Sequence, residues 1–142
     1  QICKRFHVHD GFGVKLAQKA GLKVGIISGL DSTAVRARME ELGIEEYHAG
    51  YRNKKELLPG ICSRNSLLPE QMAYLGDDWV DGPLLSRVGL PMAVANAQPD
   101  VQAMCLWVST LEGGKGAVRE AVNFILSARG DLEQARQEWL SL

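Results

Sequence analysis

Long apolar runs are missing from this sequence. Nothing in it approaches the ~20 residues of a membrane helix, and its opening does not resemble a signal peptide. An excess of one charge is missing too: the formal net charge is −1. A balance so near zero disfavours nucleic acid and membrane surfaces as partners, so an anionic ligand must be held by local groups. Cysteine is scarce, and Cys3, Cys62 and Cys105 have no metal-ligand spacing, which points to free thiols in a reducing cytoplasm. Repeats, linkers and low-complexity tracts are absent as well. The 142 residues therefore read as one domain over 1–142, ending in a tail at 131–142. An initiator methionine is also lacking, and the chain opens in mid-pattern. Ile2, Phe6 and Val8 alternate with polar residues as on a half-buried strand, which predicts a further element upstream.

Strand and helix patterns alternate through the rest of the chain. A turn at His9-Asp10-Gly11 leads to a helix over 12–20, and Leu22–Ile27 reads as a buried strand that breaks at Ser28-Gly29. Asp31 or Ser32 caps a second helix through Leu42, and a short strand at 47–49 precedes Gly50 and a basic turn. A third helix, interrupted near Pro59-Gly60, leads to the apolar strand Met72–Leu75. Further helices are predicted over 81–87, 99–104 and 117–128, with strands over 92–95 and 106–109. Alternation of this kind predicts an α/β fold with a doubly wound, mostly parallel sheet flanked by helices.

In such folds ligands bind where the strands end. Three predicted strand ends carry polar groups: Ser28-Gly29, Gly50-Tyr51-Arg52-Asn53-Lys54-Lys55, and Gly76-Asp77-Asp78 with Asp81 beyond. A hydroxyl beside a glycine lets backbone N–H groups approach a phosphate. A lysine supplies fixed positive charge, and crowded carboxylates call for a hard cation such as Mg²⁺. Together they form a phosphoryl-transfer kit, in which catalysis is mostly positioning and electrostatics.

The order Ser28-Gly29, Lys54 and Gly76-Asp77-Asp78-x-x-Asp81 resembles the later motifs of haloacid-dehalogenase-like phosphatases. The phrases Phe6-His7-Val8-x-Asp10-Gly11-Phe12-Gly13, Val88-Gly89-Leu90-Pro91 and Gly113-Gly114-Lys115-Gly116-Ala117-Val118-Arg119-Glu120 narrow the resemblance to the 3-deoxy-D-manno-octulosonate 8-phosphate (KDO 8-phosphate) phosphatases. It implies a Rossmann-like domain without a cap, a β-hairpin remnant at the start, and a homotetramer. It also implies a Mg²⁺-dependent phosphomonoesterase of a small phosphorylated sugar acid, with KDO 8-phosphate the expected substrate. Ser28 and Gly29 would then bind the phosphoryl group and Lys54 would stabilise its charge. Asp77 would ligate Mg²⁺ with support from Asp78, Asp81 would hold Lys54, and Arg52 and Asp10 would border the substrate.

The aspartyl-phosphate chemistry of that family needs an aspartate with a second two residues later. The aspartates here are Asp10, Asp31, Asp77, Asp78, Asp81, Asp100 and Asp131, and none has that spacing. The pair is therefore expected on the upstream segment. The alternative is a catalytically inactive module of the oligomerising kind fused to sugar-acid cytidylyltransferases. A phospho-acceptor receiver domain is disfavoured, because its paired acids lie near the chain start. Leu30 and His9 stand where the family has arginines, which puts the sugar specificity in question, although Arg52 or Lys55 can compensate. His7 and His9 read as surface groups. Trp79 either walls the pocket or packs on the sheet edge, and Asp10 either borders the site or caps a helix. The stretch from Gly113 to Arg119 is an anion-binding turn or a loop. Trp139 on the terminal stripe Leu132, Ala135, Trp139, Leu142 is expected to seek a partner surface.

Overall fold

The computed structural model describes residues 3–142. Five short parallel strands and seven helices alternate along it: α1 Val8–Lys19, β1 Gly25–Ser28, α2 Thr33–Glu41, β2 Glu46–Ala49, α3 Leu58–Asn65, β3 Ala73–Gly76, α4 Gly82–Leu85, β4 Leu90–Ala93, α5 Pro99–Ala103, β5 Trp107–Val108, α6 Ala117–Arg129 and α7 Leu132–Leu140. The predicted α/β alternation is thus present, with the strands at or near their expected places. Single 3₁₀ turns at Lys54–Leu57 and Trp79–Asp81 follow β2 and β3.

Among the described residues the strands form two parallel sheets. In one, β1 pairs with β2 in the register Gly25 opposite Glu46 through Ser28 opposite Ala49. In the other the order is β3-β4-β5. No ladder joins β1 to β3, and this determines how the strands are buried. The central strand β4 is almost wholly inside, whereas β1, apolar enough to read as a buried strand, stays half-exposed. Among the described residues its far edge faces no partner strand, so its apolar side chains lack one flank.

Three apolar clusters hold the layers together. Leu85, Ala93, Val94, Ala97, Val101 and Ala117 pack around β4. Val14, Met39, Leu42 and Ile44 pack α1 and α2 near β1 and β2. Leu16 and Ala17 of α1 meet Val122 and Leu126 of α6 and Ala135 of α7. Burial at ~25 cal/mol per Å² of apolar surface is what offsets the ordering of so many short elements.

Several expectations are corrected. Residues 3–7 form no strand, and Val8 opens α1, four residues ahead of the predicted start; Gln1 and Ile2 of the expected hairpin remnant lie outside the described residues. An isolated strand has no ladder to satisfy its backbone, whereas His7 can cap a helix by accepting the His9 N–H on Nδ1 at 3.2 Å. Pro59-Gly60 does not interrupt the third helix, because Pro59 falls in its first turn, where a missing N–H costs nothing. The tail is helical as far as Leu140, and Trp139 is not a free surface group. Its ring meets Phe12 of α1 edge-on at 5.0 Å, with the Lys19 ammonium 4.6 Å from its centroid. Gly130, left-handed at φ +79°, closes α6 and turns the chain so that α7 can fold back.

Candidate active site

Parallel strands end on one side of their sheet, so the loops after β1 and β2 share an edge, while the loop after β3 leaves a strand of the other sheet. Lys54 draws them together. It is 6% exposed, and its ammonium donates to Asp81 Oδ1 at 2.7 Å, to the Tyr74 hydroxyl at 3.2 Å and to the Ile27 carbonyl at 3.4 Å. One side chain from the turn after β2 therefore contacts β1, β3 and the turn beyond β3. It spans the interval that no ladder crosses.

Asp81, 2% exposed, is the other half of this buried pair. Besides Lys54 it accepts from the Tyr74 hydroxyl at 2.7 Å on Oδ1, and from the backbone N–H groups of Asp77 at 2.9 Å and Asp78 at 3.3 Å on Oδ2. Burial alone would push this carboxyl up, but the donors, Lys54 first and Tyr74 next, more than reverse that and hold it below the usual carboxylate range. The close fit requires Gly76. A Cβ there would lie 2.7 Å from the Asp81 Cβ, so any larger residue would push Asp81 off the strand end. Tyr74, which sequence reasoning did not place in the site, is raised by burial and by the Asp81 carboxylate, so it remains a neutral donor. Its signal was its position two residues before Gly76, on the same face of β3.

Asp77 and Asp78 follow directly. Asp78 accepts the Trp79 N–H on Oδ1 at 2.7 Å, and Gln98 N–H holds the Asp77 carbonyl at 3.0 Å. The Asp77 carboxyl faces solvent, yet it is pushed up, first by partial burial and then by the neighbouring Asp81 carboxyl. An anion destabilised in this way is one that a cation would relieve. Among the described residues no three His, Cys, Asp or Glu side chains cluster as a metal cage. Magnesium needs none, since one or two carboxylates complete its shell with water and phosphate oxygens. Asp77 and Asp78 fit that donor set.

On the β1 side, Ser28 Oγ donates to the Leu30 carbonyl at 2.9 Å and accepts the Leu30 N–H at 3.2 Å, which fixes the loop. Gly29 is exposed, with only the Tyr51 carbonyl near the position of a Cβ, so its backbone is open to a ligand. Arg52 lies exposed in the turn after β2. Asp10 accepts the N–H of Gly116 at 3.3 Å and of Arg119 at 3.0 Å, so it caps α6 and ties α1 to it. Asp10 thus serves a helix other than its own. Gly116 ends the 113–116 turn and Arg119 lies in the first turn of α6, and His7 and His9 stand beside them in a cleft with Lys115. Trp79 does not pack on the sheet edge. It is 70% exposed, and its indole N–H donates to Asp100 Oδ2 at 2.8 Å.

Residues 49–120 match the haloacid dehalogenase-like hydrolase family. The KDO 8-phosphate phosphatase of Escherichia coli K12 is 37% identical over 133 residues, covering 94% of this chain and 71% of that protein. This chain belongs to that phosphatase family of haloacid dehalogenase-like hydrolases. Solved relatives superpose closely. A probable YrbI-family phosphatase from Pseudomonas syringae is 41% identical with a TM-score of 0.94, covering 97% of this chain and 78% of that one. The KDO 8-phosphate phosphatase of Moraxella catarrhalis, solved with magnesium, phosphate and KDO, is 31% identical with a TM-score of 0.93, covering 96% and 79%.

Proposed function

We propose that the protein is a Mg²⁺-dependent phosphomonoesterase acting on KDO 8-phosphate or a closely similar phosphorylated sugar acid. The observation that carries this reading is the buried Lys54–Asp81 pair at 2.7 Å, set against the exposed Asp77. The pair keeps one positive charge fixed and dry next to the exposed carboxylates of Asp77 and Asp78. Magnesium, held by Asp77 with Asp78, would supply charge neutralisation at the phosphoryl oxygens. Ser28 Oγ and the Gly29 backbone would orient the phosphoryl group, Lys54 would offset its charge, and Asp81 with Tyr74 would keep Lys54 aimed. Arg52, exposed in the turn after β2, would meet the sugar carboxylate. Asp10 acts indirectly, by holding α6 against α1.

As the resemblance implies it, the covalent step would pass the phosphoryl group to an aspartate while the sugar alcohol leaves with a proton from a second aspartate two residues on, and water would then release phosphate. No two aspartates of this sequence have that spacing. Homotetramer assembly rests on the resemblance alone, because residues 3–7 form no strand and Trp139 is engaged within the chain. Sedimentation showing a monomer at micromolar concentration would remove it. A second reading is the inactive module, favoured by the absence of an Asp-x-Asp pair from this sequence. A phosphate-release assay separates the two. Mg²⁺-dependent release from KDO 8-phosphate that vanishes in Asp77→Ala supports the enzyme, and none from the unaltered protein supports the module.

A further inference from the structure

Polar groups line the floor of the site, but its rim is apolar. Leu30 after β1, Tyr51 after β2, and Trp79 and Val80 after β3 are 75%, 43%, 70% and 41% exposed. All four sit on loops that leave the ends of β1, β2 and β3, the same loops that carry Ser28, Lys54 and Asp77. Exposed apolar groups gathered about a polar centre mark a contact surface. Trp79 differs from the others in being fixed at both ends. Its backbone N–H is held by Asp78, a candidate magnesium ligand, at 2.7 Å, and its indole N–H by Asp100 of α5 at 2.8 Å. A solvated tryptophan needs no such anchor. A platform does, because a ring already ordered loses little entropy when it binds.

We propose that Trp79 is a specificity-determining residue of this site: its indole face packs on the C–H face of the sugar ring that carries the phosphate. The negative face of an aromatic ring attracts the weakly positive C–H edges of a sugar. With Leu30 offering no charge on the opposite loop, the leaving group is then selected by shape and apolar contact, and Arg52 alone reads its acid group. This assignment rests on the phosphatase reading above.

Titration calorimetry in the presence of Mg²⁺ tests it, with KDO 8-phosphate and inorganic phosphate as the two probes. In Trp79→Ala the preference for the sugar ester over phosphate falls about tenfold. Trp79→Phe restores most of it, and Asp100→Ala, which removes the acceptor of the indole N–H, lies between. Saturation transfer from the protein to the sugar ring protons weakens in the same order. An unchanged preference in Trp79→Ala, an equal loss for phosphate itself, or sedimentation showing that the substitution dissolves an assembly would each overturn the assignment. Absence of Mg²⁺-dependent binding of either probe to the unaltered protein would instead remove the phosphatase reading, and this one with it.

Discussion

Lys54→Met is the perturbation on which the site geometry makes its sharpest demand. The ammonium it deletes is 6% exposed and lies 2.7 Å from a carboxylate that is 2% exposed. Removing one partner of such a pair strands the other as a buried charge, which costs about 3–5 kcal/mol. Asp81 keeps three other donors, Tyr74 and the N–H groups of Asp77 and Asp78, so the lower end, about 3 kcal/mol, is expected. Asp81→Asn should cost as much, because an amide can still accept a backbone N–H but leaves Lys54 without its counter-charge. The double substitution leaves neither charge, so its cost should fall short of the sum by about 2 kcal/mol. Urea denaturation of the four proteins at pH 7 measures this cycle. Acidification supplies a second test. Asp81 is held below its ordinary range when folded, so it contributes stability above the ordinary carboxylate pKa, and that stability is lost as pH falls through the lower folded value. In Lys54→Met the largest opponent of its burial is gone, and the acid-side loss should shrink. Additivity within about 0.5 kcal/mol, or a single-site cost below about 1 kcal/mol, would show that the pair behaves as a surface contact and refute the reasoning.

Three more outcomes are expected. Asp77→Asn should remove the rise in melting temperature that Mg²⁺ produces, while slightly stabilising the metal-free protein, because partial burial and then Asp81 raise the Asp77 carboxyl; scanning calorimetry with Mg²⁺ and with EDTA reads both effects. Glu46 is lowered to about 2, chiefly by its hydrogen bond from Arg64 on α3, so it stabilises the protein above its ordinary value of 4.5, and that contribution is lost as pH falls from 4.5 toward 2. Glu46→Gln should therefore be the less stable form near neutrality and lose less on acidification over that window, as thermal melts across pH would show. Trp139→Ala should cost about 3 kcal/mol by stripping the contact of α7 with Phe12 and Lys19, and hydrogen exchange should report α7 opening before the sheets do.

Much of the architecture was legible because the short strands punctuate themselves. Gly29, Gly50 and Gly76 each follow or close an apolar run, so the strand ends and their polar loops could be located from the sequence alone. The bond between Lys54 and Asp81 was not legible from spacing. The two residues are 27 apart, and only the resemblance suggested their association. The reading of Asp10 as a cap of the helix over 12–20 failed because a carboxylate ahead of a helix usually caps that helix. The N–H groups Asp10 holds are 106 and 109 residues further on, beyond the range of any local rule. The first strand failed for the opposite reason. Its alternation is real, but a strand is a relation between two segments, and residues 3–7 have no partner among those described. Trp139 failed because the terminal stripe was judged alone, whereas the surface it covers belongs to α1.

The interval between β1 and β3 accounts for both the fold and the site. Ser28 belongs to one sheet and Asp77 follows the other; among the described residues no backbone ladder joins them, and Lys54 reaches both sides. A phosphoryl group bound by Ser28 and by a cation on Asp77 would be a second tie across the same interval. Ligand affinity and global stability should then be read in one measurement, since a ligand that binds only the joined arrangement stabilises it by RT ln(1 + [L]/Kd). Each substitution that loosens the interval should weaken the ligand in proportion, because the cost of closing it falls on binding. A site that merely lay on the surface of one sheet would show no such proportionality. The buried Lys54–Asp81 pair is therefore as much a part of the fold as of the chemistry.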